Sequence, residues 1–328
     1  MEKMLTGIRS TGTPHLGNIL SVIIPSINIA NKKKNTSFIF IADLHSLINI
    51  DNLQNIKDNT YKIAAAWLAF GLNTENCLFY RQSDVTEVTE LAWYFSCFYP
   101  YKRLTLVHTF KNEIEENKNK INTGLFIYPI LMSADILLYN AKIIPVGEDQ
   151  LQHIEIARRI ANFFNKKVGE KIFIQPNAFL QKKTMSVPGT DGKKMSKSKK
   201  NYINIFSSDD LLKKQIMNIY TDNKSLEEKK NPEKDNIMSL YKLIAPLDKI
   251  EKMKNKYIKG GYGYLDAKKA LYELIIHKFS VEREKFFSFI KNKSLLDNIL
   301  FSGAKKAKNI ANKRLNYIRK YLNFNSLL

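Results

Sequence analysis

The run Ser37-Phe38-Ile39-Phe40-Ile41-Ala42 has no polar face. Alternate residues of a strand point to opposite sides, so a strand apolar on both sides must be covered on both. That is the condition of parallel strands joined through helices. The neighbouring segments keep the same rhythm: Lys3–Ile8, Cys77–Arg81 and Lys142–Val146 read as further strands, with Thr60–Phe70 as a helix between the second and third. The pattern predicts an α/β fold with a doubly wound parallel sheet, whose ligands bind at the carboxyl ends of the strands. Asp43, Leu44 and His45 follow the second strand, where side chains shape such a cleft.

A helix is expected after Gly17, kinked or broken at Pro25. Val88–Tyr99 and Leu104–Lys111 read as helices, and 112–122 as a polar stretch belonging to an insertion in the sheet fold. Gly147-Glu148-Asp149-Gln150 opens a helix running through His153 to Phe164, its acids suiting the helix dipole. Met185–Val187 reads as the last strand, and from Ser207 the pattern is helical almost to the end, with Ser207 and Asp210 as a capping box. Gly260-Gly261-Tyr262-Gly263 is a helix-start turn and not a phosphate loop, since no strand precedes it. The expected layout is a catalytic α/β domain over 1–205 with a helical insertion around 82–140, a helical domain over 206–300, and a basic helix over 301–328.

The 328 residues are 44% apolar, enough for a sizeable core. No run approaches the roughly eighteen apolar residues of a membrane span, and no long apolar segment follows Met1-Glu2-Lys3, so a soluble cytoplasmic protein is expected. Two cysteines, Cys77 and Cys97, are too few for a disulfide framework and lack zinc or iron–sulfur spacing, which leaves them as apolar thiols. The net charge of +21 suits a polyanion. Part of it goes with an abundance of Lys, Asn and Ile of the kind an AT-biased genome writes, so placement matters more than the sum. Seven basic residues, Lys305, Lys306, Lys308, Lys313, Arg314, Arg319 and Lys320, stand after Ile299 with no acid among them. They form either an RNA contact or a solvated helix face.

Two distant segments together describe a phosphate cradle. Pro14-His15-Leu16-Gly17-Asn18 puts an imidazole and a glycine where strand meets helix, with backbone N–H groups facing outward. Lys194-Met195-Ser196-Lys197-Ser198 lies in a loop with five lysines between Pro188 and Asn201, hinged by Gly189–Gly192. His15 can donate to a phosphate oxygen, Gly12 and Gly17 leave room for a nucleotide, and Asn18 either anchors the turn or touches phosphate. Lys194 and Lys197 can close on a leaving pyrophosphate, with Ser196 and Ser198 as further donors. On a helix containing Pro129, Asp135 shares a face with Tyr128, Leu131, Met132, Leu138 and Tyr139. A carboxylate there needs a donor, either a ligand N–H or O–H, or a lysine such as Lys102 or Lys142. His108, His153 and His277 read as structural.

The order of these segments resembles the two signature motifs, HIGH-type and KMSKS, of class I aminoacyl-tRNA synthetases. With Thr6-Gly7-Ile8, Ile41–His45, Met132–Leu137 and Val146–His153 added, the chain is similar to the bacterial tryptophanyl-tRNA synthetases. The resemblance implies a Rossmann-like catalytic domain, a helical domain holding the anticodon stem of tRNA(Trp), and a homodimer with its interface at the insertion. It implies that tryptophan is activated with ATP and magnesium and passed to the terminal ribose of the tRNA. It assigns the indole N–H to Asp135, the amino and carboxylate end to Tyr128 and Gln150, and the ring cavity to Met132 and Val146. Around ATP it places Arg9, Gly12, His15, Gly17, Asn18, Lys111, Gly147, Asp149 and Lys194–Ser198, with His15, Asn18, Lys194 and Lys197 catalytic. It implies no resident zinc or iron–sulfur cluster, and no membrane partner. Arg9 stands where glutamine is usual, and Lys199-Lys200-Asn201 where an acidic Asp-Pro pair is common, which predicts a more cationic or looser lid. A tyrosyl-tRNA synthetase shares this architecture and also uses an acidic acceptor, so Asp135 alone does not separate indole from phenol. A further alternative is an RNA-binding protein that keeps the fold without activation; His15, Lys194 and Lys197, whose loss would mark it, are all present.

Overall fold

A computed structural model describes residues 2–32, 36–49, 53–107, 122–147, 150–180 and 186–324. Five parallel strands, β1 (Lys3–Arg9), β2 (Thr36–Ala42), β3 (Cys77–Arg81), β4 (Ile143–Pro145) and β5 (Asn177–Phe179), lie in the order β3-β2-β1-β4-β5. The chain builds outward from β1 in one direction and then returns to its other side through β4. The switch point therefore falls between β1 and β4, and their carboxyl ends open the cleft. The both-sided apolar run behaves as its sequence requires. Ile39 and Ile41 pack with Met4 and Phe79 on one face, while Phe38 and Phe40 pack with Leu5 and Tyr80 on the other.

Short helices α1 (Leu16–Asn18) and α2 (Ile24–Ala30) are joined by a π turn over Ile19–Ile23. Pro25 sits in the first turn of α2, so the expected break takes the form of a widened turn just ahead of the ring that cannot donate. Helices α3 (Asp43–Ser46), α4 (Asn55–Ala69), α5 (Glu87–Phe98) and α6 (Tyr101–Leu104) follow. The helix read at Leu104–Lys111 instead ends at Leu104, and 108–111 lie outside the described residues. α7 (Thr123–Leu138), capped by Asn122, and α8 (Leu151–Val168) pack against each other and cover one face with α5. Glu148 and Asp149, read as opening α8, also lie outside the described residues.

Of the strand read at Met185–Val187, Met185 is outside the described residues and Ser186-Val187 is not a strand; only an isolated bridge joins Pro188 to Lys194. The fifth strand is Asn177–Phe179, too short and too exposed to show a pattern. Helices α9 (Asp209–Met217), α10 (Asn236–Ile244), α11 (Leu247–Lys259), α12 (Tyr264–Lys278), α13 (Ser280–Lys291) and α14 (Lys293–Tyr321) complete the chain. The Ser207/Asp210 capping box does not form. Ser208 is the cap of α9, without a side-chain bond, and Asp209 in the first turn pairs with Arg283 instead.

α14 is one continuous helix, so the segment expected from 301 begins inside it. It returns along the edge strand β3, close enough that a Cβ on Gly303 would lie 2.0 Å from the Phe79 carbonyl oxygen. Leu296 and Leu300 belong to one core while Ala304, Ala307, Ala311, Leu315 and Ile318 belong to the other, so α14 closes both. Of the seven basic residues after Ile299, two turn inward. Arg319 forks onto Glu90 at 2.7 and 2.5 Å, and Arg314 donates to the Ile172 carbonyl beneath the Phe173 ring. Lys305, Lys306, Lys308, Lys313 and Lys320 stay exposed. None of the described helices is long and apolar enough to cross a membrane.

Candidate active site

The loop after β1 carries His15 as the cap of α1. Its Nδ1 accepts the Asn18 N–H at 3.2 Å, and the Asn18 side-chain oxygen accepts the His15 N–H at 3.2 Å. Asn18 therefore anchors the turn. With Nδ1 occupied as an acceptor, the proton of the neutral ring sits on Nε2. Burial first, and then the Lys197 charge, push His15 down to about 4, so the ring is neutral at pH 7 and still a donor.

The second cradle segment meets the first although 178 residues separate them: the Gly17 N–H points at the Met195 sulfur at 3.3 Å. A Cβ on Gly17 would stand 2.9 Å from the His15 ring and 3.4 Å from the Met195 side chain, so this close approach requires glycine. Leu16 N–H donates to the Ile203 carbonyl at 2.8 Å, tying the same two segments from the other side. Lys197 reaches across to the Thr11 carbonyl at 3.2 Å and lies beside Gly12. Its ammonium is pushed down to about 8 by burial, and further by the charges of Lys62 and Arg9. The charges of Lys62, on α4, and Arg9 thus bear on Lys197, a repulsion that an anion relieves. Lys194 is exposed, and Ser196 and Ser198 share a hydroxyl bond at 2.8 Å.

The loop over 188–201 is held by a set of hydrogen bonds centred on Asn201. Asn201, 3% exposed, accepts the Ser196 N–H at 2.7 Å and donates to Asp191 at 2.7 Å and to the Lys194 carbonyl at 3.1 Å. The Thr190 N–H returns to the Asn201 carbonyl at 2.9 Å. Asp191 is held below the usual carboxylate range, chiefly by the Asn201 bond. The turn also docks on the helical part of the chain, where Tyr220 N–H donates to the Thr190 carbonyl at 2.7 Å. Asn201, noted in sequence only as a departure from an acidic pair, is the residue around which this loop is organised.

Asp135 on α7 is buried, 4% exposed, and the lysine pairing does not occur: Lys142 pairs with Glu2 at 2.5 Å. Its donors are Gln82 Nε2 at 2.8 Å and His45 Nε2 at 3.1 Å, both on Oδ2. Oδ1 receives no hydrogen bond from the described residues. Burial lifts the Asp135 carboxyl above its ordinary range while the two donors oppose the rise. Tyr128 hydroxyl meets His153 Nε2, and Gln150 Oε1 meets His153 Nδ1 at 2.9 Å, so the buried His153 joins two candidate residues. Met132 and Val146 are half-buried and pack against the core that holds Ala134 and Ile144, and exposed Gly147 follows β4 after Val146. Lys111, Asp149 and His108 lie outside the described residues. Gln82 escaped the sequence reading, although its place directly after β3 matches that of Asp43 after β2. Lys62 also escaped it, because one lysine in a helix of a Lys-rich chain carries no signal.

The chain matches the family model of the tRNA synthetases class I (W and Y) over residues 2–280. The tryptophan–tRNA ligase of Fusobacterium nucleatum is 40% identical over 311 residues, covering 95% of this chain and 94% of that one. A crystal structure of the tryptophanyl-tRNA synthetase of Campylobacter jejuni complexed with ADP and tryptophan superposes with a TM-score of 0.91 at 40% identity, covering 98% of this chain and 99% of that one. The Mycoplasma pneumoniae tryptophanyl-tRNA synthetase superposes at 0.81 with 27% identity, covering 99% of each chain.

Proposed function

The chain belongs to the class I tRNA synthetases of the W and Y family and joins tryptophan to tRNA; we propose that it does so through the cleft at the carboxyl ends of β1 and β4. The tryptophan carboxylate attacks the α-phosphorus of ATP in line, pyrophosphate leaves, and the aminoacyl group then passes to the 3′ terminal ribose of tRNA(Trp). Charge gathers on phosphate oxygens, so catalysis is electrostatic. His15 donates from Nε2 as a neutral imidazole, with Asn18 holding its turn. Lys197 and Lys194 neutralise the departing pyrophosphate with Ser196 and Ser198, and Met195 keeps the lid seated on Gly17. Arg9, Gly12 and Gly147, with Lys111 and Asp149, complete the ATP contacts. Magnesium enters as the ion ATP carries on its phosphates.

Asp135 takes the indole N–H on Oδ1, Met132 and Val146 flank the ring, and Tyr128 and Gln150 hold the amino acid's other end. The exposed lysines of α14 face tRNA, with the helices over 206–300 as its anticodon-stem support. Tyr101, Leu106, Ile127 and Leu151, exposed within or beside the 82–140 insertion, supply an apolar face for a homodimer. The reaction belongs in the cytoplasm, where tRNA is charged.

The observation that carries this reading is the Gly17–Met195 contact, which makes one cradle of two remote segments. ATP–pyrophosphate exchange with tryptophan and tyrosine side by side, in wild type and Asp135→Ala, tests it. Exchange with tryptophan alone, lost in the variant, is expected. Exchange with tyrosine would move the assignment to the phenol, and exchange with neither in a folded protein that binds tRNA would overturn activation.

A further inference from the structure

We propose that Gln82 and His45 are positioning residues that hold the Asp135 carboxylate as an acceptor-only group, with Oδ1 presented to the side-chain donor of the amino acid. The proposal rests on the reading of Asp135 as the indole acceptor.

The orientation of Gln82 follows from its neighbours. Its Oε1 lies 3.3 Å from the His45 backbone N–H, which needs an acceptor, so the amide must turn its NH₂ toward Asp135. Gln82 is 1% exposed, His45 8% and Asp135 4%, so bulk water does not substitute for any of these bonds. A second set of bonds fixes the frame. Asp43 accepts the Leu44 N–H at 3.0 Å and the Ser83 N–H at 2.9 Å on one oxygen, and the Ser83 hydroxyl at 2.5 Å on the other. The turn after β2, which carries His45, is thereby stapled to the turn after β3, which carries Gln82.

Both donors fall on the same oxygen of Asp135. A protonated carboxyl in this place would have to carry its proton on Oδ1, where it would face a ring N–H donor to donor. Two donors on Oδ2 favour the ionised form and leave Oδ1 an acceptor. Ring shape alone discriminates weakly, whereas a buried acceptor left unpaired strongly disfavours a ligand without the donor. Gln82 and His45 thus determine how much of tryptophan's affinity resides in one N–H.

The test compares tryptophan with 3-(benzothiophen-3-yl)alanine, in which sulfur replaces the N–H, by kcat/KM in ATP–pyrophosphate exchange. Wild type is expected to prefer tryptophan by about 10- to 100-fold, the range of one hydrogen bond to a charged acceptor. In Gln82→Met that preference should shrink at least several-fold. A merely structural defect would depress both substrates together and leave their ratio unchanged. Gln82→Glu keeps an acceptor for the His45 N–H but sets a second carboxyl beside Asp135. Its preference should fall and become pH-dependent, recovering on acidification as the pair shares a proton, and this variant serves if Gln82→Met does not fold. An unchanged ratio in both variants would overturn the role of Gln82 while leaving Asp135 as acceptor. A wild type that does not distinguish the two substrates would overturn the Asp135 reading itself.

Discussion

Replacing Asn201 by alanine should loosen the lid without unfolding the protein. The side chain makes three hydrogen bonds, to Ser196 N–H at 2.7 Å, to Asp191 at 2.7 Å and to the Lys194 carbonyl at 3.1 Å. The two neutral bonds contribute ~0.5–1.5 kcal/mol each, while the one to the fully exposed Asp191 carboxylate is screened by water and adds little. Asp191 and Lys194 are exposed, so water recovers part of the loss, and the three bonds share one residue and do not add. A local cost of roughly 1–2 kcal/mol remains, which multiplies the open population of the loop by about 5- to 30-fold. Trypsin reports this directly, because Lys193, Lys194 and Lys197 lie in the loop and cleavage tracks the open fraction when reclosing is fast. Cleavage in the 193–200 segment should accelerate by that factor, and ATP, binding the closed lid, should suppress it less than in wild type. Tm should fall by only a few degrees, since the sheet and helices keep their packing. A cleavage rate and ATP protection within twofold of wild type would refute the assignment of lid order to Asn201.

Three further outcomes follow from the same geometry. Lys197, pushed down to about 8, sheds its proton as pH rises through that value, so KM for ATP should climb toward roughly tenfold by about pH 9. Its contribution to stability runs oppositely, since the cost of burying the ammonium is full below about 8 and is relieved as pH rises. Lys197→Arg should abolish the alkaline rise in KM, and a profile unchanged by that substitution would assign the titration elsewhere. Gly303→Ala sets a Cβ 2.0 Å from the Phe79 carbonyl oxygen and must push α14 off β3. Denaturant unfolding should show a loss of at least ~1–3 kcal/mol, against a loss of a few tenths if the helix shifts freely. Lys305→Ala with Lys306→Ala should weaken tRNA binding and lower the slope of log affinity against log salt by about 1–2, whereas equal slopes would return these lysines to a solvated face.

How much of the fold was legible depended on whether the pattern was local. β2 announces itself because both of its faces are apolar, and β3 was bounded to the residue by its apolar run. β5 has three residues, two of them exposed, and is made a strand by β4 alongside it, so no local pattern could reveal it. The Ser207 cap does not form either: Ser208 takes the cap position, and Asp209 beside it pairs with Arg283, far along the chain.

The same division runs through the site. Residue type and spacing singled out His15, Asn18, Lys194, Lys197 and Asp135 as candidates, because each chemistry needs a particular group and such groups are few in the relevant segments. Sequence also offered a lysine as partner for Asp135, and folding instead supplied Gln82 from the end of β3 and His45 from the end of β2. Of the seven basic residues near the C-terminus, tertiary structure alone separated Arg314 and Arg319, which fasten α14 to the body, from the lysines that face water. Sequence determined which chemical groups are present and which strands must be buried, since both are local properties of the chain. Only the tertiary structure decided which donor meets which acceptor, because hydrogen bonds in a dry interior are allotted by whichever group folding brings within 3 Å, however remote it is in sequence.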